Sequence, residues 1–132
     1  MTTPPAKVLV VDDEERFGAN MVKLLEANGI KARHAMDGEE GLAEAARKSY
    51  DVILLDMKMP GLSGKDVLKK LREAKIPSKV VVLTGHASVD DAVELINMGA
   101  YDYLLKPCKT DQLVKMISLA YEQRLIEQRE LG

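Results

Sequence analysis

The chain has a single cysteine, almost balanced charge and no long apolar run. One cysteine among 132 residues excludes an internal disulfide framework and a cysteine-rich zinc site, and it suits a reducing compartment. No apolar run approaches the ~20 residues of a membrane span, and residues 1–7 lack the apolar stretch of a signal peptide. The 19 basic and 21 acidic residues give a net charge of −2, so nothing indicates a nucleic-acid surface. We therefore expect a cytoplasmic protein that binds neither membranes nor nucleic acids directly.

What the chain does contain is an alternation of apolar runs and segments of helical period. Apolar residues make up 46% of it and charged residues 30%, which suits one domain with its own core. Three aliphatic runs, at residues 8–11, 52–55 and 80–83, are typical of strands buried on both faces of a parallel sheet. Weaker runs at 30–35 and 101–105 complete five strands, and a helical segment follows each of them. The pattern predicts an α/β fold with helices on both faces of the sheet.

Polar side chains stand directly after four of the five predicted strands. In open parallel sheets ligands bind outside the carboxyl ends of the strands, so these residues are expected to share one edge. Carboxylates ~4 Å apart repel each other by about 4 kcal/mol at an effective dielectric near 20, unless a cation joins them. Oxygen ligands suit Mg²⁺, an ammonium suits a phosphoryl oxygen, and a carboxylate can be the nucleophile that forms an aspartyl phosphate. We interpret the adjacent pair as the metal-holding acids and the lone acid as the nucleophile; in chain order the residues are Asp12, Asp13, Asp56, Thr84 and Lys106.

Four short motifs resemble those of the receiver domain of two-component response regulators. They are VVDD at 10–13, LLDMKMPG at 54–61, VLTG at 82–85 and YLLKP at 103–107. The resemblance covers residues 7–121, which leaves 1–6 as an N-terminal tail and 122–132 as a helical C-terminal extension or linker. It implies a flavodoxin-like, doubly wound (βα)5 parallel sheet with the strand order 2-1-3-4-5.

The resemblance also implies how this edge of the sheet binds Mg²⁺, with Mn²⁺ as an alternative. Asp13, Asp56 and the backbone carbonyl of Lys58 would bind the ion directly, whereas Asp12 would reach it through water. Asp56 would accept a phosphoryl group from a sensor histidine kinase or a phosphotransfer protein, and Lys106 would bind a phosphoryl oxygen.

Thr84 and Tyr103 are the switch residues that the resemblance implies. Thr84 would bind a phosphoryl oxygen and move toward it, and Tyr103 would turn inward into the space that Thr84 leaves. The output surface would comprise residues 88–121 and contact an output domain or a downstream protein, with control of transcription as a candidate output and a phosphorylation-dependent homodimer as an open alternative. Such a domain is not an enzyme beyond its own phosphorylation and dephosphorylation. By pattern alone, Tyr103 is more typical of an ordinary core residue.

Other functions stay open at this point. A Mg²⁺-dependent phosphohydrolase would also form an aspartyl phosphate, but such enzymes generally need an acid two residues after the nucleophile, where Lys58 stands. A flavodoxin-like cofactor carrier would need hydroxyl and glycine donors where four consecutive acids follow the first strand. An interaction module without phosphorylation is disfavoured because all the site residues are present. The resemblance implies that Lys58 and His86 stand at positions that influence phosphate lifetime, and Lys58 could either shield the phosphoryl group from water or pair with it.

Several remaining features have structural interpretations. His34 is interpreted as an edge-strand residue and Phe17 as part of an apolar helix stripe, while Ser88 is expected to cap a helix. Residues 122–132 form a solvated helical tail, a linker toward an output domain, or a dimer contact.

Overall fold

Strands and helices alternate along the whole of the chain that the structure describes. The computed structural model describes residues 4–85 and 89–131, apart from the side chains of Val89 and Leu131. The strands are β1 (Lys7–Val11), β2 (Lys31–Ala35), β3 (Val52–Asp56), β4 (Lys79–Thr84) and β5 (Asp102–Leu105). The helices are α1 (Glu15–Ala27), α2 (Gly38–Arg47), α3 (Gly64–Glu73), α4 (Val89–Asn97) and α5 (Thr110–Leu131). Among these helices, none is long and apolar enough to cross a membrane.

The five strands form one parallel sheet in the order β2-β1-β3-β4-β5. Strand β1 lies between β2 and β3, with Val10 opposite His34 on one side and opposite Leu54 on the other. The chain therefore turns to one side after β1 and to the other side after β2, and ligands bind in such sheets at this reversal of direction. The predicted flavodoxin-like fold and strand order are confirmed.

Alternate residues of each strand contact helices on opposite faces of the sheet. Leu9 and Leu55 pack with side chains of α2, α3 and α4, whereas Val8 and Leu54 pack with side chains of α1 and α5. All four are fully buried. Because both faces of the central strands are covered, their sequences are continuous aliphatic runs rather than alternating ones.

Helices α2 and α3 begin at residues whose side chains cap them. The Asp37 carboxylate accepts a hydrogen bond of 2.8 Å from the backbone N–H of Glu40. Ser63 and Asp66 form a reciprocal capping box at the start of α3. These caps fix where the loops after β2 and β3 end. The cap expected at Ser88 lies outside the described residues.

Helix α5 continues without a break through residues 121 and 122. Arg124 is buried, and Glu127 forms an ion pair with Lys79 at the first residue of β4. The last turns of α5 thus pack against the edge of the sheet opposite the strand ends that carry the acids. No change of secondary structure marks residue 121 within the described length of α5, and a domain boundary there stays a prediction.

Candidate functional site

The polar residues that follow the strands lie together at the carboxyl edge of the sheet. Asp12 and Asp13 come directly after β1, Asp56 is the last residue of β3, and Thr84 is the last of β4. Lys106 follows β5, and its backbone N–H donates a 2.8 Å hydrogen bond to the carbonyl of Thr84. Parallel pairing brings these chain segments to one edge, although they lie far apart along the sequence.

Three carboxylates form the acidic centre of this edge. One oxygen from each of Asp12, Asp13 and Asp56 lies within 4.8 Å of the others. Asp12 and Asp56 are buried and Asp13 is half-buried, so water screens their mutual repulsion poorly. Ligand oxygens on opposite sides of a Mg²⁺ ion stand about 4.2 Å apart, given metal–oxygen distances of 2.0–2.1 Å. The spacing and the oxygen chemistry of the three side chains therefore fit a small divalent cation.

Lys106 supplies a positive charge to the carboxylates. Its Nζ donates hydrogen bonds of 2.9 Å to Asp12 Oδ2 and 3.4 Å to Asp56 Oδ1. Burial works against the ammonium, but the hydrogen bond to Asp12 and the charge of Asp56 outweigh it and raise the pKa of Lys106. One ammonium cannot balance three carboxylates, so the cluster keeps a net negative charge that attracts a further cation.

The carboxyl group of Asp56 is buried, and its neighbours act on its pKa in opposite directions. Burial raises the pKa of Asp56 above its ordinary value, and the negative charge of Asp12 raises it further. The ammonium of Lys106 and a hydrogen bond from the backbone N–H of Lys58 act in the opposite direction, because both favour the charged carboxylate. The side chain of Lys58 is exposed in the loop after β3. Asp56 thus lies at the centre of the acids, the ammonium and this loop.

Thr84 and Tyr103 share one face of the sheet beside this centre. Thr84 is buried at the end of β4, and Tyr103 lies opposite Val82 in the neighbouring strand β5. Because side chains two positions apart in a strand point to the same face, Tyr103 and Thr84 both lie on the α4 side. Tyr103 is half-buried and packs against the core that includes Leu95 of α4. His86, which the sequence analysis connects with phosphate lifetime, lies outside the described residues.

Two residues at the site were missed by the sequence analysis as parts of it. The Nε2 of His34 donates a 2.8 Å hydrogen bond to the backbone carbonyl of Asp12, and the His34 ring lies against Gly18 of α1. The ring of Phe17 lies under Lys106, with 4.1 Å between Nζ and the ring centroid. The pairing of β2 with β1, which only the fold shows, would have placed His34 near Asp12. The position of Phe17 one helical turn beyond the acids can be read from the sequence, but its contact with Lys106 cannot.

Comparisons with known proteins identify the class to which this fold and this acidic edge belong. The model of the family described as "Response regulator receiver domain" matches residues 8–118. YkoG, an uncharacterized transcriptional regulatory protein of Bacillus subtilis, is 35% identical over 125 residues, which cover 95% of this chain and 55% of YkoG. The transcriptional regulatory protein DltR of Streptococcus agalactiae is 36% identical over 117 residues, which cover 89% of this chain and 52% of DltR.

A solved structure supports the same assignment. The receiver domain of the Francisella response regulator 1452 is 36% identical, with a TM-score of 0.85, and the match covers 89% of this chain and 98% of that one. The class is therefore that of the phosphorelay signalling domains. The chain belongs to the response regulator receiver domain family. Receiver domains of this family bind Mg²⁺ in an acidic pocket and interact with histidine kinases and output domains. The chain spans about half the length of the curated relatives it matches.

Proposed function

We propose that this chain is a phosphoacceptor switch in which Asp56 takes a phosphoryl group from a sensor histidine kinase or a phosphotransfer protein. The observation that carries the proposal is the position of Asp56: its Oδ1 lies 3.4 Å from Lys106 Nζ, beside the carboxylates of Asp12 and Asp13. A nucleophilic carboxylate needs positive charge nearby to receive a phosphoryl group, because the incoming oxygens are themselves negative.

The residues that would hold Mg²⁺ are Asp13 and Asp56 directly and Asp12 through water, with the backbone carbonyl of Lys58 as a further oxygen donor. When bound, the ion supplies positive charge to the carboxylates and to the phosphoryl oxygens. In the transfer, the phosphorus forms a bond to a carboxylate oxygen of Asp56 while its bond to the donor's leaving atom breaks, and the leaving atom keeps the electron pair of that bond. Lys106 then holds a phosphoryl oxygen and offsets the added charge.

Phosphorylation would act as a switch through Thr84 and Tyr103. A phosphoryl group adds about −1.5 to −2 charges, and moving a two-state equilibrium from mostly inactive to mostly active takes about 5 kcal/mol. A charge-assisted hydrogen bond from Thr84 supplies about 1.5–3 kcal/mol of this. Repacking of the half-buried Tyr103 on the same face of the sheet supplies part of the rest.

The surface formed by α4, β5 and α5, within residues 88–121, would transmit the phosphorylation state to an output domain or a downstream protein. Large apolar side chains are exposed there, including Ile96, Leu105 and Leu119, and exposed apolar groups favour protein contacts. YkoG and DltR are transcriptional regulatory proteins of about twice the matched length. We therefore infer that this surface contacts an output domain, with control of transcription as the output.

The proposal is tested by incubating the chain with Mg²⁺ and a small acyl phosphate and measuring intact mass. We expect the gain of one phosphoryl group, dependent on Mg²⁺, in wild type and none in Asp56→Asn. The matched control is Asp51→Asn, which removes an acid from the opposite end of the same strand region and should be phosphorylated like wild type. Equal labelling of Asp56→Asn and wild type would overturn the proposal. Steady release of many phosphates per chain at enzyme-like rates would instead favour the phosphohydrolase.

A further inference from the structure

The ammonium of Lys106 lies over an aromatic ring as well as beside carboxylates. Its Nζ is 4.1 Å from the ring centroid of Phe17, in the first turn of α1. This distance is well inside the ~6 Å range in which the face of an aromatic ring attracts a cation. Phe17 is half-buried and packs against the core cluster that includes Leu25 of α1 and Leu113 of α5.

The three attractions on Lys106 differ in what a divalent cation does to them. The carboxylates of Asp12 and Asp56 are also donors proposed for Mg²⁺, so their negative charge is shared between the ammonium and the ion once both are present. Two positive charges beside the same carboxylates also repel each other. The attraction of the Phe17 ring is independent of the carboxylates, and Mg²⁺, an oxygen-binding ion, does not compete for it.

We propose that Phe17 is a positioning residue for phosphoryl uptake: its ring face keeps the Lys106 ammonium at the site while the carboxylates bind the metal ion. The inference rests on the proposed function, because the proposed role of Lys106 is to bind an oxygen of the phosphoryl group on Asp56. The competing interpretation is that Phe17 only fills space between α1 and α5. In the proposed role the rate of phosphoryl uptake depends on the charge distribution of the Phe17 ring, whereas in the space-filling role it depends only on the volume of the ring.

The composition of the chain offers a direct way to separate charge distribution from volume. Phe17 is its only phenylalanine, so growth on fluorinated phenylalanine changes this ring and no other residue. One, two and three fluorine atoms withdraw electron density from the ring face stepwise, with little change in ring size. The measurement is the rate of Asp56 phosphorylation by a small acyl phosphate at saturating Mg²⁺.

We expect the logarithm of the rate to fall in step with the number of fluorine atoms. The total loss with three fluorines should be about three- to tenfold, equivalent to about 0.7–1.4 kcal/mol. Phe17→Leu should lose about as much as the trifluorinated ring, whereas Phe17→Trp should keep the wild-type rate or exceed it. Rates that stay flat along the fluorine series would overturn the proposal, even if Phe17→Leu were slow, because only packing would then be at work.

A second readout follows the position of Lys106 without any phosphorylation. In wild type saturated with Mg²⁺, the ring current of Phe17 should shift the NMR signals of the Lys106 ε-methylene group upfield, and Phe17→Leu should abolish this shift. Leu24→Ala is the matched control, since it removes apolar packing from the same helix and cluster without touching the ring. Loss of the upfield shift on adding Mg²⁺ to wild type would overturn the proposal. A wild type that takes up no phosphoryl group at all would overturn the proposed function with it, whereas uptake with a flat fluorine series overturns only the role of Phe17.

Discussion

The Nζ of Lys106 lies 2.9 Å from Oδ2 of Asp12, although 94 positions of the chain separate the two residues. The side chain of Asp12 is only 1% exposed and that of Lys106 is 19% exposed, so their attraction is poorly screened. A buried carboxylate is costly without a partner, and here the partner is the residue proposed to bind the phosphoryl group. The acidic cluster therefore has a cation in place before any ion or phosphoryl group arrives.

The first prediction concerns the free energy that the repulsion between the three clustered carboxylates costs the folded chain. Asp13→Asn should make the chain more stable in the absence of divalent ions, by about 1 kcal/mol, because it removes one of three repelling carboxylates. Wild type should gain about 1.4 kcal/mol from Mg²⁺ at ten times its dissociation constant, and the variant should gain much less. Urea unfolding with and without Mg²⁺ measures both effects, with sodium chloride at equal ionic strength as the control. An equal gain for the variant and wild type would contradict the assignment of Asp13 to the metal site.

The second prediction couples Thr84 to Tyr103. If the hydroxyl of Thr84 drives the repacking, Thr84→Ala should still be phosphorylated while the environment of Tyr103 stays unchanged. The measurement is ¹⁹F NMR of chain labelled with fluorotyrosine, in which Tyr103→Phe assigns one of the four tyrosine signals. Phosphorylated wild type should move the Tyr103 signal, and Thr84→Ser, which keeps the hydroxyl, should behave like wild type. A moving Tyr103 signal in phosphorylated Thr84→Ala would show that the two residues act separately.

The third prediction concerns the packing of His34 on Gly18. A Cβ atom at residue 18 would lie 2.1 Å from ring atoms of His34, so Gly18→Ala must displace the ring and its hydrogen bond to the carbonyl of Asp12. We expect a loss of about 1–2 kcal/mol in the free energy of unfolding, although alanine is the better helix former by about 1 kcal/mol.

The effect of Gly18→Ala on the free energy of unfolding should change sign when the His34 ring is absent. In the His34→Ala background, Gly18→Ala should stabilise the chain by about 0.5–1 kcal/mol, because only the helix preference of alanine remains. Chemical unfolding of the four proteins of this double-mutant cycle is the measurement. If Gly18→Ala destabilised both backgrounds equally, the contact with His34 would not be the cause.

The fourth prediction is a pH dependence at the buried pair of Tyr50 and Glu44, away from the site. The Tyr50 hydroxyl donates a 2.6 Å hydrogen bond to Glu44, and burial together with this bond raises the pKa of Tyr50 to about 12. An ordinary tyrosine ionises near pH 10, so between pH 10 and 12 the unfolded chain loses this proton and the folded chain keeps it. The stabilisation is therefore complete below pH 10 and is lost as the pH rises to 12.

Comparison with Tyr50→Phe isolates this contribution from the general effects of alkali. At pH 8 the variant should be less stable than wild type by about 1–2 kcal/mol, since Glu44 loses a hydrogen bond. The difference should shrink by about 2–3 kcal/mol on going from pH 10 to pH 12, and so vanish or change sign. Unfolding by urea at several pH values is the measurement, and a constant difference across this range would contradict the raised pKa.

The residues of the candidate site were largely predictable, because strand ends can be located from short patterns. An aliphatic run must stop where the chain leaves the sheet, and Asp12, Asp56 and Thr84 stand at such stops. The order of the strands could not be predicted from the aliphatic runs alone, because their pattern does not specify which strands are neighbours. That order was expected from the resemblance of the motifs and was confirmed by the structure.

The contacts that support the site were less predictable. Phe17 was interpreted as one member of an apolar stripe, and its position under Lys106 depends on how α1 is rotated against the sheet. Glu44 is an acid in an amphipathic helix, and only the structure shows it buried with Tyr50, Arg33 and Arg47 as partners. Interactions of this kind depend on the meeting of side chains that no local pattern relates.

The alternation of strands and helices follows from periodicity over a few residues, and the side chain at each strand end can then be read directly from the sequence. Local patterns do not show that a lysine from the end of the last strand contacts an aspartate from the end of the first, or that an aromatic ring and a histidine support them. The physical reason is that charge and packing energies depend on distance and burial in space. Both are set by contacts between segments that lie far apart along the chain.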